Sequence, residues 1–268
     1  MLALLVSAFG GVPAAAAEEK QVRGETAVAE SRAPNPALEE AIKKLKFPGL
    51  AIDLKERCVD IEGKICLHKG MLELVACTKG SKEHESIVAV AARPMHIHTA
   101  LLLLGADAGN PAMRRAPRGE DERWIDIPPH GSAVDVLLVF PDKAGKPAEH
   151  AISEFITRSS AEAEVGRDAA ADKKADRQFP THTFLFAGSH LVEDGPGPRK
   201  YLSDDSGNVI SIVTFGDELL CLSGVHSDQT DALEWQVNAA GLPVVGAKVT
   251  LRLRPKPKPA VKENTPSP

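Results

Sequence analysis

The chain has 268 residues, 43% of them apolar, enough to bury the core of one large domain or two small ones. Its formal net charge is -5, from 32 basic and 37 acidic residues, and this mild acidic excess argues against a nucleic-acid footprint, which needs a clustered basic surface. Aromatic residues make up only 4%, so stacking platforms for bases or sugars are not expected.

The chain opens on a short apolar stretch, Leu2 to Val12, followed by Pro13 and the small residues Ala14 to Ala17. This is the pattern of a secretory h-region with an A-x-A cleavage site at Ala15-Ala16-Ala17, so residues 1–17 are expected to be a signal peptide. The mature protein is then exported, to the periplasm or beyond. No Lys or Arg precedes the apolar run, a gap that a start codon placed too far downstream accounts for. The stretch is too short to span a bilayer, and no other segment is long and apolar enough, so no transmembrane segment is expected in the mature chain. Residues 18–46 are expected to form a linker with a short helix. The polar, Ala/Glu-rich part ends at Pro34 and Pro36, Asn35 is placed to cap a helix carrying Leu38, Ile42 and Leu45, and Pro48-Gly49 stops it.

A β-rich body follows, expected over residues 47–254. Strands are read at Leu50 to Leu54, at Cys58 to Ile61 and Ile65 to Leu67 around a turn at Glu62-Gly63-Lys64, at Leu72 to Ala76 and at Ile87 to Ala92. Pro94 suits the first turn of a helix over Met95 to Leu104, ended by Gly105 and apolar nearly all round, hence buried. Asp107 to Glu122 reads as a loop. Strands resume at Trp124 to Ile127, Val134 to Phe140, His150 to Ile156, Phe184 to Ala187, Val209 to Phe215, Leu233 to Val237 and Lys248 to Leu253. Ser159 to Arg177 is a surface helix or an excursion, and residues 255–268 are a disordered Pro/Lys tail. The class is α+β and β-rich: roughly ten short, mostly antiparallel strands with one buried helix near 94–105.

In an exported protein the four cysteines suggest disulfides. Cys58 and Cys66 flank the expected turn at Glu62-Gly63, and Cys66 and Cys77 flank the next connection, so a bridge is expected within this trio. Cys221 reads as a buried thiol. The gaps between the cysteines are not the C-x-x-C spacing of zinc or iron–sulfur loops.

Few residues point to chemistry. Lys82, Glu83, His84, Glu85 and Ser86 make a polar knot between two apolar segments, either a solvated turn or a His–carboxylate pair facing a ligand. The zinc-protease pattern H-E-x-x-H fails because Val88 stands where the second histidine belongs. His96 and His98 would chelate a metal on a strand, but on the expected helix they diverge by about 200°. An extended backbone there would make His84, His96 and His98 a trio for a transition-metal ion. Ser189-His190 lacks the G-x-S-x-G elbow of a hydrolase. Asp204, Asp205 and Asn208 carry oxygen ligands that suit calcium, without EF-hand spacing, and a β-turn with Gly207 at positive φ is the simpler reading.

Several stretches resemble the YdjY-domain family of exported bacterial proteins. They are Ile65-Cys66-Leu67 through Leu72 to Cys77, Lys79-Gly80-Ser81-Lys82-Glu83-His84-Glu85-Ser86-Ile87-Val88, Phe186-Ala187-Gly188-Ser189, Tyr201 to Ile210 and Pro243 to Leu251. The resemblance covers roughly Phe47 to Pro255, and the K-G-x-K-E-H-E-S run is its most specific part. It implies a family of unknown function with no catalytic residues to carry over.

The expectation is therefore an exported, non-enzymatic binding or assembly module. Its recognition surface is Lys82, Glu83, His84, Glu85 and Ser86 together with Asp204, Asp205 and Asn208, and its partner is an unknown protein or small molecule. No cofactor and no nucleic acid are expected. The alternative is a metal-binding or redox-active periplasmic protein using His84, His96 and His98, with Cys66 and Cys77 as further candidates.

Overall fold

The computed structural model describes residues 39–40, 42, 44–116, 124–159, 178–227, 229 and 233–257. The expected signal peptide over 1–17, most of the 18–46 linker, the stretch 160–177 and the end of the tail lie outside these residues. The described residues all belong to one unit, Pro34–Pro268.

The strands are β1 (Leu50–Asp53), β2 (Cys58–Ile65), β3 (Leu74–Thr78), β4 (Ser86–Val90), β5 (Met113–Arg115), β6 (Ile125–Ile127), β7 (Ala133–Pro141), β8 (Pro147–Ala151), β9 (Ile156–Arg158), β10 (Thr183–Leu185), β11 (Leu191–Val192), β12 (Lys200–Tyr201), β13 (Asn208–Ser211), β14 (Leu220–Cys221), β15 (Trp235–Val237) and β16 (Lys248–Pro255). The main sheet runs β1-β2-β16-β7-β10-β14-β13-β3-β4, and β4 pairs back with β2. The sheet thus closes into an eight-stranded barrel, with β1 and β8 as added strands. Closure was not expected from the sequence. It depends on two long strands that each serve two neighbours along one edge. Residues 58–61 of β2 pair with β1 and 63–65 with β4. Residues 133–135 of β7 pair with β10 and 137–141 with β8. Pairing is antiparallel except for β3–β4 and β13–β14, which are parallel.

Alternation builds the core. Val59, Ile61 and Ile65 of β2, Val249, Leu251 and Leu253 of β16, and Val134, Val136 and Leu138 of β7 are all buried, while Glu62 and Lys64 between them are exposed. The expected turn at Glu62-Gly63 does not exist, because Cys58–Ile65 is one strand. Gly63 is a packing glycine: a Cβ there would lie 2.6 Å from Val88 Cγ1. The consequence for the cysteines is direct. Cys58 and Cys66 stand at opposite ends of this strand, about 26 Å apart at ~3.3 Å per residue, and cannot bridge. All four cysteines are free thiols.

Helix α1 (Pro94–Leu103) matches the expected helix in place, with Pro94 in its first turn and Gly105 beyond its end at φ 83, but it is buried on one side only, and Leu102 is exposed. Ile97, Ala100, Leu101 and Leu104 join the barrel core. Its N-terminus is capped from a distance: Met95 N–H donates to Asp204 Oδ1 at 2.9 Å, and Arg93 binds the other oxygen of the same carboxylate. At the other end Arg57 donates to Leu104 O at 3.0 Å. The 203–208 segment is not a β-turn but a short helix, α2 (Leu202–Ser206), ended by Gly207 at φ 80. Two further expectations are corrected. The 107–122 loop contains β5, hairpinned to β6, and the expected strand over His150 to Ile156 is interrupted by a 3-10 turn at Ile152–Phe155.

Outside the barrel, Arg252 binds Asp60 through two nitrogens at 2.7 and 2.6 Å and Glu149 at 2.6 Å, and Arg254 grips the same Glu149 at 2.8 and 3.0 Å. This network ties β2, β16 and β8. The Arg254 hydrogen bond, with Arg252 adding to it, holds the Glu149 carboxyl down at about 2. His98 is shifted the other way from a simple surface histidine: burial holds its pKa below the ordinary 6.5. Both shifts act against acid. The unfolded chain protonates His98 first as pH falls through about 6.5, and it protonates Glu149 first between about 4.5 and 2. Stability measured by urea unfolding is expected to decline in both windows. Glu149→Gln should remove the lower step only, and a flat profile between pH 7 and 3 would contradict the assignment.

Candidate functional site

A groove of about 880 Å³ crosses the outer face of the barrel. Strand register explains its shape. Lys64 lies opposite Ala89 on one side and Lys248 on the other, forming one row across β4, β2 and β16. Glu62, Thr250 and Val139 form the next row, across β2, β16 and β7. The small side chains of Ala89 and Ala91 leave the trough, while Lys79 and Glu83 wall one end and Val245 and Gly246 form a lip. Val244 and Val245 are 72% and 56% exposed, an apolar edge beside charged walls.

Cys66 lines this groove and Cys77 lies behind it, fully buried. The Cys66 thiol donates to Ser86 O at 3.1 Å. The other cysteines are isolated. Burial pushes Cys58 up to about 11 and Cys221 up to about 12.

The expected recognition loop is the cover over Cys77. Glu83–Glu85 is a 3-10 turn, the Ser86 hydroxyl donates to Lys82 O at 2.8 Å, and Glu83 accepts from Gly80 N. Lys82 Nζ sits 3.5 Å over the Phe215 ring and 3.7 Å from Glu85. His84 alone of the five projects fully, its side chain 77% exposed and 3.5 Å from Glu85. The second expected segment packs against this cover. Thr78 N–H donates to Gly207 O at 3.1 Å, and Gly207 lies against Thr78 and Ser81. Asp204 is committed to α1, Asp205 is exposed, and Asn208 is buried with its amide donating to Asp217 Oδ1 at 2.6 Å. The Asp204 oxygens cap α1, whereas Asn208 Oδ1 is buried without a hydrogen-bond partner, so the two do not form one ligand set.

The three histidines also part company. His96 packs on Phe47, with ring centroids 5.3 Å apart, and its Nδ1 is buried without a hydrogen-bond partner. His98 Nδ1 meets the Tyr201 hydroxyl at 2.8 Å, and that hydroxyl donates to Gly188 O at 2.9 Å. Among the described residues no three His, Cys, Asp or Glu side chains form a cluster that could hold a metal ion. Ser189, the serine of the hydrolase pattern, has φ 50, and its hydroxyl donates to Asp217 O while accepting from Ser203 N–H at 3.0 Å. It braces the turn and is not free to attack. Behind it Glu218 is buried, with Oε1 unpartnered, and burial pushes its carboxyl up.

Lys64, Lys248, Ala89 and Val245 escaped the sequence reading. Alternation alone puts Lys64 and Lys248 on the outer face, but only the β2–β16 register makes them neighbours.

Among the described residues no helix is long and apolar enough to cross a membrane. No curated protein and no solved structure matches the chain. The family model of the YdjY domain matches residues 50–254, the whole of the barrel from β1 nearly to the end of β16. The segments that carry the resemblance meet around the Cys77 cover and the Ser189 brace, and the chain belongs to the YdjY domain family.

Proposed function

We propose that the protein is an exported binding module that seats an extended segment of a partner polypeptide in the groove over β4, β2 and β16. The observation that carries this reading is the groove itself. It is a trough with small side chains at Ala89 and Ala91, rows of alternating charge and an exposed valine lip. Such a surface suits a chain whose side chains alternate in character, and its charges set the register of the bound segment.

Screening a displayed library of random peptides against the immobilised protein tests this. Selected peptides are expected to lose at least about tenfold in affinity for Lys64→Glu/Lys248→Glu, equivalent to about 1.4 kcal/mol. Val245→Ser should weaken them as well. Peptides that bind both variants as well as the parent would place recognition elsewhere. His84→Ala should alter stability by no more than about 0.5 kcal/mol, since its ring is solvated, and should weaken only those peptides that reach the Lys79–Glu83 end. Export is tested apart from binding: the secreted or periplasmic protein should begin at Glu18, and retention in the cytoplasm with an intact Met1 would remove that part of the proposal.

A further inference from the structure

Strands β2 and β16 treat their outward charges in two opposite ways. Arg252 stands opposite Asp60 and binds it through two nitrogens, with Glu149 of β8 as a second anion. Two rows along the same strands, Lys248 stands opposite Lys64. Directly opposed side chains in an antiparallel pair are rooted about 5 Å apart, and like charges placed so work against the pairing. No carboxylate of the described chain relieves them. Glu62 lies in the row between and faces Thr250, and among the described residues Lys64, Lys79, Lys248 and Glu62 form no ion pair. The fold has no structural use for such an opposed pair, and a local conflict of this kind belongs to a site that serves a ligand. The pair also borders the apolar part of the groove. Ala89 beside Lys64 is too short to cover it, and Val245, Pro141 and Pro147 line the trough with Lys248.

We infer that Lys64 and Lys248 form an anion subsite that receives one aspartate or glutamate side chain of the segment seated in the groove, so the partner polypeptide is acidic at that position. This rests on the peptide-seating reading above and adds the residue that fixes the register. Lysine stems are long and flexible. From roots one strand spacing apart, the two ammonium groups reach a single carboxylate together, each donating to one of its oxygens. The incoming charge also cancels their mutual repulsion, so binding and strand pairing favour each other. The charge of the groove selects a carboxylate over a phosphoryl group. Lys64, Lys79 and Lys248 against Glu62 and Glu83 leave one positive charge in excess. A carboxylate matches it, whereas a phosphoryl group, with a charge of about -1.5 to -2, overshoots it. The apolar residues Val245, Pro141 and Pro147 suit apolar side chains elsewhere in the same segment.

The test selects random peptides, displayed with both ends fused so that no free terminus competes, on the full chain and separately on Lys64→Glu/Lys248→Glu. Peptides from the parent protein are expected to share an Asp or Glu at one position. Changing that residue to Asn or Gln should cost at least about tenfold in affinity, and binding should weaken as salt is raised. The reversed variant should select Lys or Arg at the same position. In the free protein, Lys64→Glu alone turns the opposed like pair into an opposite one, so its urea midpoint should rise while the acidic peptides are lost. A midpoint that falls would remove the repulsion on which the inference stands and overturn it. Selected peptides with no shared acidic residue, or indifferent to its neutralisation, would overturn the inference and leave peptide capture standing. Capture of no peptide at all would overturn both. A phosphoserine peptide that outcompetes its glutamate counterpart by about tenfold or more would assign the pair to a phosphoryl group instead of a carboxylate and overturn the inference in that way. The peptide-side replacements decide the matter on the unaltered protein, whatever the variants do to folding.

Discussion

Replacing Gly131 by alanine is expected to remove about 4 kcal/mol of stability, the size reserved for backbone collisions and broken cores. Gly131 has φ 149, and a Cβ there would run into the Phe186 carbonyl, with Phe186 C only 2.6 Å away. That carbonyl accepts the Gly109 N–H at 2.9 Å, and Phe186 N–H donates to Ser132 O at 2.8 Å. Neither side can yield without breaking a buried backbone bond, unlike a clash with the end of a flexible side chain. Phe186 is fully buried and packs edge-on to His98, so the disturbance reaches α1 and the Ser189 brace. Gly145→Ala is the control. Gly145 has φ 75 but open space around its Cα, so only the left-handed backbone penalty of about 1–2 kcal/mol should appear. Urea denaturation of both variants gives the comparison. Equal losses would show that the collision relaxes freely and that this junction is softer than its hydrogen bonds imply.

A second large effect is expected at Gly207, where the Cys77 cover meets α2. An alanine there combines φ 80 with a Cβ 2.6 Å from Ser81 Cβ and 2.7 Å from Thr78 Oγ1. The expected loss is about 3 kcal/mol, the sum of backbone strain and steric displacement. The functional readout is more telling than the stability. Pushing Thr78 and Ser81 aside lifts the loop that seals Cys77, so labelling of Cys77 by a thiol reagent in the folded protein should rise at least about tenfold, while Cys58 stays protected. Adding Ser81→Gly should restore about 1 kcal/mol or more, since it removes the closer obstacle and the two residues touch. Unchanged protection of Cys77 in Gly207→Ala would mean that the cover is anchored elsewhere, for instance by Lys82 on Phe215.

The recognition segments illustrate what a linear reading can and cannot reach. Lys82 to Ser86 was legible as a polar interruption between apolar runs. Its job was not, because the buried thiol beneath it belongs to β3 and the groove beside it to β2 and β16. Asp204 looked like a surface ligand in an acidic turn. It is a helix cap for a segment 109 positions earlier, and nothing local to either segment announces that bond. The misreading at Glu62-Gly63 had a specific cause. A glycine beside charged residues is a turn signal in an isolated hairpin, whereas in a closed barrel it is the residue that lets two strands approach.

Taken alone, the amino-acid order determined the β-rich body, the helix with Pro94 at its start and Gly105 past its end, and the membership suggested by the K-G-x-K-E-H-E-S run. These rest on period-two alternation, local capping and short-range steric preference, all of which act within a few residues of where they are written. Barrel closure, the Lys64–Lys248 row and the separation of Cys58 from Cys66 were decided by tertiary structure. The physical reason is that strand pairing is set by burying every inner face at once. That is a condition on the whole sheet, and no single segment carries it.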